Sequence, residues 1–142
     1  MADAPAAEVP ESAPHERSMI GLTFDTGALI ALERNRQRMV EVRQAALRAG
    51  LRVTVPAAVI AEWWRGRTDL RKDIVAGVCV EPLTLATARA AGEAIAHVRG
   101  ASAVDAIVMA SAALRGDIVY TSDVDDLERL RLHFRAVRVL GV

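Results

Sequence analysis

Apolar runs that suit buried strands alternate along the chain with segments of helical character. The strand-like runs cover residues 19–24, 51–55, 78–81, 118–120 and 137–140. The helical segments cover residues 27–33, 36–49, 56–65, 69–75, 84–98, 102–115 and 123–132. Several of these helices start at Ser, Asp or Pro and end at Gly, which are common boundary residues. Strands without polar alternation, each followed by a helix, predict an α/β fold with a parallel sheet covered on both faces.

Residues 1–18 do not follow this alternation. They are rich in Ala, Pro, Glu and Ser and lack periodicity, which predicts a disordered leader before one domain at 19–142. Met19 directly precedes the first strand, so translation could also start there. Without the leader, the chain has 17 basic and 14 acidic residues. This mild positive charge is a weak indication of a nucleic-acid partner.

The single cysteine gives information on the cellular compartment of the protein. Cys79 lies in the apolar run 78–80, which predicts a buried thiol and excludes an intrachain disulfide. The N-terminus lacks the pattern of a signal peptide, and no apolar run approaches the roughly 18 residues of a membrane helix. The sequence therefore predicts a cytoplasmic protein that does not enter a membrane.

Four acidic residues recur at comparable places in the predicted fold. Asp25, Asp105 and Asp123 lie where helices begin, and Glu62 lies within an apolar helix. Ligands of parallel sheets bind beyond the carboxyl ends of the strands, so these acids can converge there. With no Cys/His cluster beside them, they predict an oxygen-only site for a hard cation such as Mg²⁺. Such a cation would relieve the repulsion between carboxylates and support phosphodiester hydrolysis.

The three acids at helix starts also have structural interpretations. Asp25 and Asp123 suit helix N-caps, because Asp is among the best capping residues. Asp105 stands three residues after Ser102, the spacing of a capping box. The positive end of the helix would stabilise an ionised carboxylate at Asp105 in either case.

Glu62 does not fit a capping role. A carboxylate on a nearly all-apolar helix is costly unless it is paired, protonated or metal-bound. The alternative is that Glu62 reaches solvent or pairs with Arg65 or Arg67. Asp125 and Asp126 suit compensation of a helix dipole, although one of them could contact a metal through water.

Other candidate chemistry is weaker. His97 and His133 are isolated and lack the spacing of a zinc site, and the serines have no identifiable triad partner. The chain has no Gly-rich phosphate loop. Trp63 and Trp64 are adjacent on a predicted helix, where neighbours diverge by about 100°. One tryptophan is therefore expected in the core and the other at a partner or dimer surface.

Four segments, in this order, resemble the PIN-domain family, and specifically VapC-type toxins of bacterial type II toxin–antitoxin systems. They are Leu22–Leu29, Val55–Glu62, Val104–Ala110 and Val119–Leu127, so that the resemblance spans about 19–142. It implies a three-layer α/β/α fold and a Mg²⁺- or Mn²⁺-dependent endoribonuclease that cuts tRNA, rRNA or mRNA.

The resemblance also assigns roles to individual residues. It makes Asp25, Glu62, Asp105 and Asp123 the catalytic, metal-binding acids and Thr121 a further pocket residue. It implies an RNA substrate, a homodimer and a cognate antitoxin whose tail blocks the acidic pocket.

Two other functions compete with the nuclease. An inactive PIN-like domain that only binds a partner would retain the fold, although four intact acids argue against it. A receiver-type signalling domain also gathers acids at the edge of a parallel sheet. That class places an acidic pair after strand one and uses a lysine after a later strand, whereas Phe24 precedes Asp25 and Lys72 is the only lysine.

Overall fold

The computed structural model describes residues 20–66 and 68–142, and five parallel strands form one sheet there. They are β1 (Leu22–Phe24), β2 (Val53–Pro56), β3 (Cys79–Glu81), β4 (Ile118–Thr121) and β5 (Arg138–Gly141). The order across the sheet is β3-β2-β1-β4-β5, and each neighbouring pair is parallel. The prediction of a parallel sheet is therefore confirmed. The predicted leader, residues 1–18, lies outside the described residues.

Seven helices connect the strands in the described part of the chain. They are α1 (Thr26–Glu33), α2 (Gln37–Ala49), α3 (Ala57–Trp63), α4 (Asp69–Ala76), α5 (Leu85–His97), α6 (Ala103–Arg115) and α7 (Val124–Leu130). Most boundaries differ from the predicted ones by one or two residues. Pro56 ends β2 and N-caps α3 instead of starting the helix, because its backbone is still extended.

The helices form two layers, one on each face of the sheet. Crossovers between parallel strands are right-handed, so α1–α4 cover one face and α5–α7 cover the other. The packing agrees, since α1 contacts α2, α3 and α4, whereas α6 contacts α5 and α7 more extensively than it contacts α3. The protein is a three-layer α/β/α sandwich, as predicted.

The centre of the sheet contains a topological switch point. From β1 the chain leaves towards β2, while β4 pairs with the other side of β1. A crevice forms where connections leave in opposite directions, and ligands of open α/β sheets bind there. The backbone N–H of Asp25 donates to the carbonyl of Tyr120 at 3.3 Å, so the ends of β1 and β4 are joined at this crevice.

The core is built from aliphatic and sulfur-containing side chains with two aromatic residues, Phe24 and Trp63. Its largest fully buried members include Phe24, Leu29, Met39, Met109 and Leu127. Trp63 is 3% exposed and Trp64 is 37% exposed, which confirms that the two tryptophans face different surroundings. No helix among the described residues has the length and apolar character needed to cross a membrane.

The prediction for the single cysteine was wrong. Cys79 is exposed, because β3 is an edge strand whose first two residues face solvent. An apolar run predicted burial here, but the position of a strand within its sheet depends on the whole topology. The thiol is free among the described residues.

A polar network interrupts the core beneath α6. The guanidinium of Arg115 contacts the carboxylates of Glu81 and Asp117, and it donates to the Thr23 hydroxyl at 2.8 Å. That hydroxyl donates in turn to Asp117 at 2.8 Å. Burial alone would raise the pKa of Glu81, but hydrogen bonds from Arg115 and Ser111 outweigh burial and lower it. The network thus ties α6 to three strands or strand termini.

Gly27 allows the first turn of α1 to contact the loop after β4. A Cβ at this position would lie 1.9 Å from the Ser122 hydroxyl oxygen and 3.1 Å from the Ser122 backbone nitrogen. It would also lie 2.8 Å from the Ser122 Cβ, which a side-chain rotation does not move, so rotation would not relieve the contact. Gly27 therefore sets the distance between α1 and the segment that carries Asp123.

We expect Gly27→Ala to lower the free energy of unfolding by about 1–3 kcal/mol, the usual range for overpacking. The matched control is Gly92→Ala in α5, where a Cβ would meet no atom within 4 Å. Relief of a helical glycine should make the control stabilising by up to about 1 kcal/mol. Urea unfolding followed by tryptophan fluorescence measures both. Equal effects of the two substitutions would contradict the close contact.

Candidate metal centre

Asp25 lies at the carboxyl end of β1 and starts α1. Its carboxylate accepts from the backbone N–H of Ala28 at 2.9 Å, so the capping interpretation is correct. The side chain is nevertheless buried at the switch point, with 6% exposure. Its pKa is raised to about 6, mainly by burial and to a smaller extent by the charges of Asp105 and Asp123, against the lowering effect of hydrogen bonds from Thr121 and Ala28. A cap on an exposed helix would not show this shift.

Asp105 reaches the same place from α6 on the other face of the sheet. Its N–H donates to the Ser102 hydroxyl at 3.0 Å, which confirms the predicted cap. Burial raises the pKa of Asp105, and the negative charges of Asp123, Asp126 and Glu62 raise it further. Asp105 therefore lies in the capped first turn of α6 and also close to the other acids.

Asp123 follows β4 and precedes α7, but its side chain makes no capping hydrogen bond. Its N–H donates to the Thr121 hydroxyl at 2.8 Å, and Thr121 is fully buried. The pKa of Asp123 is raised, first by a hydrogen bond with Asp126 and then by burial. The same hydrogen bond, with one from Arg129 at 2.9 Å, lowers the pKa of Asp126. The two carboxylates are therefore close enough to affect each other's protonation.

The carboxylate oxygens of Asp105, Asp123 and Asp126 lie within 4.8 Å of one another. Around an octahedral Mg²⁺ with bonds of about 2.1 Å, neighbouring oxygens are roughly 3 Å apart and opposite ones roughly 4.2 Å apart. Small side-chain movements would bring the three oxygens to these separations. The donor set is oxygen only, which suits Mg²⁺ or Mn²⁺ rather than zinc or copper. The residues present fit a hard divalent cation.

Glu62 is exposed, so the alternative that it reaches solvent is confirmed and the cost of a buried carboxylate does not apply. Helix α3 buries Val59 and Trp63 but leaves Glu62 exposed. Its carboxylate accepts a hydrogen bond from the hydroxyl of Thr26, the residue after Asp25. Glu62 therefore lies at the outer edge of the acidic cluster, and its charge contributes to the raised pKa of Asp105.

The alternative pairing of Glu62 is only partly tested. Arg65 donates to the carbonyl of Glu62 at 3.3 Å, not to its carboxylate. Arg67 lies outside the described residues. The hydrogen bond with Thr26 thus provides the contact that fixes the side chain.

Asp126 also belongs to the acidic cluster. The sequence predicts for it mainly compensation of a helix dipole, because it follows two other acids at the start of a helix. The structure brings it into the cluster with Asp105 and Asp123 and leaves Asp125 out. The i and i+3 spacing of Asp123 and Asp126 on one helix face was the signal that could have separated the two residues.

We expect Asp126→Asn to weaken Mn²⁺ binding by roughly ten- to hundredfold, the range seen for groups that support a metal site. Asp125→Asn is the matched control, because it removes the same charge one residue away. Titration calorimetry of the metal-free protein measures both affinities. If the two substitutions weakened binding equally, general charge rather than coordination would explain the effect.

Comparison with known proteins identifies the fold family. A model of the PIN domain matches residues 22–131 of the chain. The chain belongs to the PIN-domain family. A search of curated proteins finds no match.

Two solved structures are similar to this PIN-domain chain. One is VapBC2 from Rickettsia felis bound to a DNA fragment from its promoter, with 8% identity and a TM-score of 0.72, covering 87% of this chain and 99% of that one. The other is DNA-bound VapBC from Salmonella typhimurium, with 14% identity and a TM-score of 0.69, covering 87% and 98%. At these identities the similarity shows the fold.

Proposed function

We propose that this PIN-domain protein is a VapC-type toxin, a cytoplasmic endoribonuclease that depends on Mg²⁺ or Mn²⁺. The observation that supports it most is the approach of three carboxylates to within 4.8 Å beside the buried Asp25. Asp126 pairs with Arg129 at 2.9 Å, but among the described residues neither Asp105 nor Asp123 forms a salt bridge. Carboxylates this close repel one another. A cation explains the cluster, and phosphodiester hydrolysis is chemistry that such a cation supports.

The residues have separable roles in this proposal. Asp25, Asp105 and Asp123, with Asp126, would hold the ion, and Glu62 would contribute from the outer edge. When bound, Mg²⁺ or Mn²⁺ supplies polarisation of a phosphoryl oxygen and a lower pKa for attacking water. The Thr121 hydroxyl contacts both Asp25 and Asp123, so it acts as a positioning residue that keeps the two strand ends in register.

A protein partner is part of the proposal. Both similar structures are VapBC complexes, which supports a cognate antitoxin for this chain. A homodimer is also proposed, because Trp64 leaves a large aromatic side chain 37% exposed. Sedimentation that showed a monomer at micromolar concentration would contradict the dimer.

Induced expression in a bacterial host tests the toxin. The wild-type chain is expected to arrest growth and to produce discrete RNA fragments, whereas Asp105→Asn should do neither at equal protein level. Asp69→Asn, an exposed acid in the first turn of α4, is the control and should remain toxic. Circular dichroism confirms that each variant is folded.

The same experiment separates the competing functions. An inactive binding module would leave RNA intact for wild type and Asp105→Asn alike. A receiver domain would instead form an acyl phosphate with a small phosphodonor.

A further inference from the structure

A cavity of about 520 Å³ lies beside the first turn of α1, outside the acidic cluster. Its apolar part is formed by Ile30, Ala31 and Val142. Its polar part comes from the segment that joins α1 to α2 and from the start of α2. The cavity is large enough for a nucleotide-sized group, since small-molecule sites begin at roughly 300 Å³.

The charged side chains that line this cavity are all basic, and we call it the arginine cavity. Arg34, Arg36 and Arg38 line it, and its lining contains no acidic residue. Within the described residues, neither Arg34 nor Arg36 forms a salt bridge. Arg38 donates to the carbonyl of Gly141 at 2.8 Å, so one guanidinium is held in place by the last strand.

A second cavity, on the other side of α1, shows that arginines alone do not make such a surface. It has a volume of about 350 Å³ and contains arginines together with Glu33 and Glu62. There the guanidinium of Arg71 pairs with Glu33 at 2.8 Å. Two carboxylates thus offset most of the charge of three arginines in the second cavity, whereas the arginine cavity has no acidic side chain. Arg34 lines both cavities.

The arginine cavity adjoins the candidate metal centre. Its wall includes Gly27, two residues after Asp25, and Ser122, the residue before Asp123. The close contact between Gly27 and Ser122 therefore separates the positive cavity from the acidic cluster by a single turn of chain. A ligand that contacts both sites needs an anionic group for the arginine cavity. At the acidic cluster it needs a group that binds a cation held by the carboxylates.

We propose that the arginine cavity binds a backbone phosphate of single-stranded RNA, next to the phosphodiester held at the acids. This inference rests on the proposed nuclease function and assigns the contacts that hold the flanking strand. Arginine guanidinium groups match the geometry of phosphate oxygens. The apolar floor offers a surface for a ribose or a base, which a free inorganic anion would not use.

The arginine cavity would also contribute to RNA binding during the reaction. The acidic cluster repels RNA until a cation neutralises it, so binding energy must come from elsewhere on the surface. Contacts to a phosphate away from the reacting bond supply that energy and position the strand. Arg34 and Arg36 act as positioning residues in this scheme, since they do not contact the reacting atoms.

The test compares Arg34→Gln/Arg36→Gln with Arg89→Gln, an exposed arginine of α5 on the opposite face of the sheet. A fluorescein-labelled, mixed-sequence RNA single strand is titrated in EDTA at several salt concentrations, with every chain also carrying Asp105→Asn. The double variant should bind roughly tenfold more weakly per arginine removed. Its salt slope should decrease by about 0.7 for each lost phosphate contact, while the Arg89 variant remains unchanged.

Cleavage kinetics provide the second readout, with Asp105 intact. The double variant should raise KM by at least about tenfold and change kcat much less, because the contact lies away from the reacting bond. Equal RNA affinity, salt slope and KM in the double variant and the control would overturn the cavity as a phosphate site. Loss of antitoxin binding with RNA binding intact would overturn it too and assign the cavity to the protein partner.

Two different outcomes separate the phosphate site from the proposed nuclease function. If the wild-type chain cleaves RNA and the arginine variants behave like the control, only the phosphate site fails. If the wild-type chain neither cleaves nor binds RNA, the nuclease proposal fails and the phosphate site fails with it.

Discussion

Asp25→Asn is expected to abolish RNA cleavage and, in EDTA at pH 8, to raise the free energy of unfolding by about 2–3 kcal/mol. The carboxyl group is buried, and its pKa is about 6 instead of 3.8. A difference of this size corresponds to roughly 3 kcal/mol of cost for the ionised form in the folded state. Asn removes the charge and still accepts the capping hydrogen bond from Ala28. Loss of metal binding should reduce cleavage by at least roughly a hundredfold.

The stabilisation must depend on pH in one direction. Between pH 3.8 and about 6, the folded wild-type chain holds a proton on Asp25 that the unfolded chain has released. Its stability therefore falls as pH rises through this window, because the unfolded state binds fewer protons. The Asp25→Asn variant has no carboxyl group at this position, so its stability does not fall for this reason as pH rises. The difference between the two proteins should be near zero below pH 4 and complete above about pH 7.

With bound metal, the wild-type chain should be more stable to unfolding than Asp25→Asn. Saturating Mn²⁺ stabilises the wild-type chain through ligand linkage and should leave Asp25→Asn nearly unchanged. Urea unfolding at pH 4 and pH 8, with EDTA and with Mn²⁺, gives all four values. Destabilisation by Asp25→Asn in EDTA at pH 8 would show that the carboxylate serves the fold as an ordinary cap.

Arg115→Met should cost about 3–5 kcal/mol of folding free energy, the usual result of removing one member of a buried ionic network. Asp117 is 5% exposed and would lose a hydrogen bond of 2.9 Å from the guanidinium. Glu81 would lose the contact that lowers its pKa. The buried Asp117 would then retain the Thr23 hydroxyl as its main donor, whereas Glu81, whose side chain is 29% exposed, would keep the hydrogen bond from Ser111.

Removal of the whole network distinguishes an unpaired charge from lost packing. The triple variant Arg115→Met/Glu81→Gln/Asp117→Asn should recover much of the loss, because no buried charge lacks a partner. Arg89→Met, on an exposed helix face, should stay within about 0.5 kcal/mol of wild type. A loss below about 1 kcal/mol in the single variant would show that solvent reaches the network.

The sequence predicted the fold well because its strands are short apolar runs that each lead into a helix. Periodicity located all five strands and seven helices of the described residues. It could not locate Cys79 on the surface, because an apolar run does not reveal which strand ends at the edge of the sheet. Nor could it reveal the network of Arg115, whose partners come from β1, the end of β3 and the residue before β4.

The candidate site was less predictable than the fold. The positions of Asp25, Asp105 and Asp123 at helix starts follow from the alternation, and the switch point explains why they converge. The place of Asp126 depends on how α7 leaves β4, which local patterns do not determine. Nor do local patterns show that Glu62 is exposed, because α3 is apolar in sequence but lies at the surface on one side.

Cleavage of total cellular RNA by the purified chain tests the central claim most directly. The reactions contain Mg²⁺, Mn²⁺ or EDTA, with Asp105→Asn and the exposed-acid control Asp69→Asn in parallel. The metal-centre account predicts discrete fragments with either cation from wild type and Asp69→Asn, and none in EDTA or from Asp105→Asn. Cleavage that persisted in EDTA, or in a pure preparation of Asp105→Asn, would contradict a nuclease centre built from these acids.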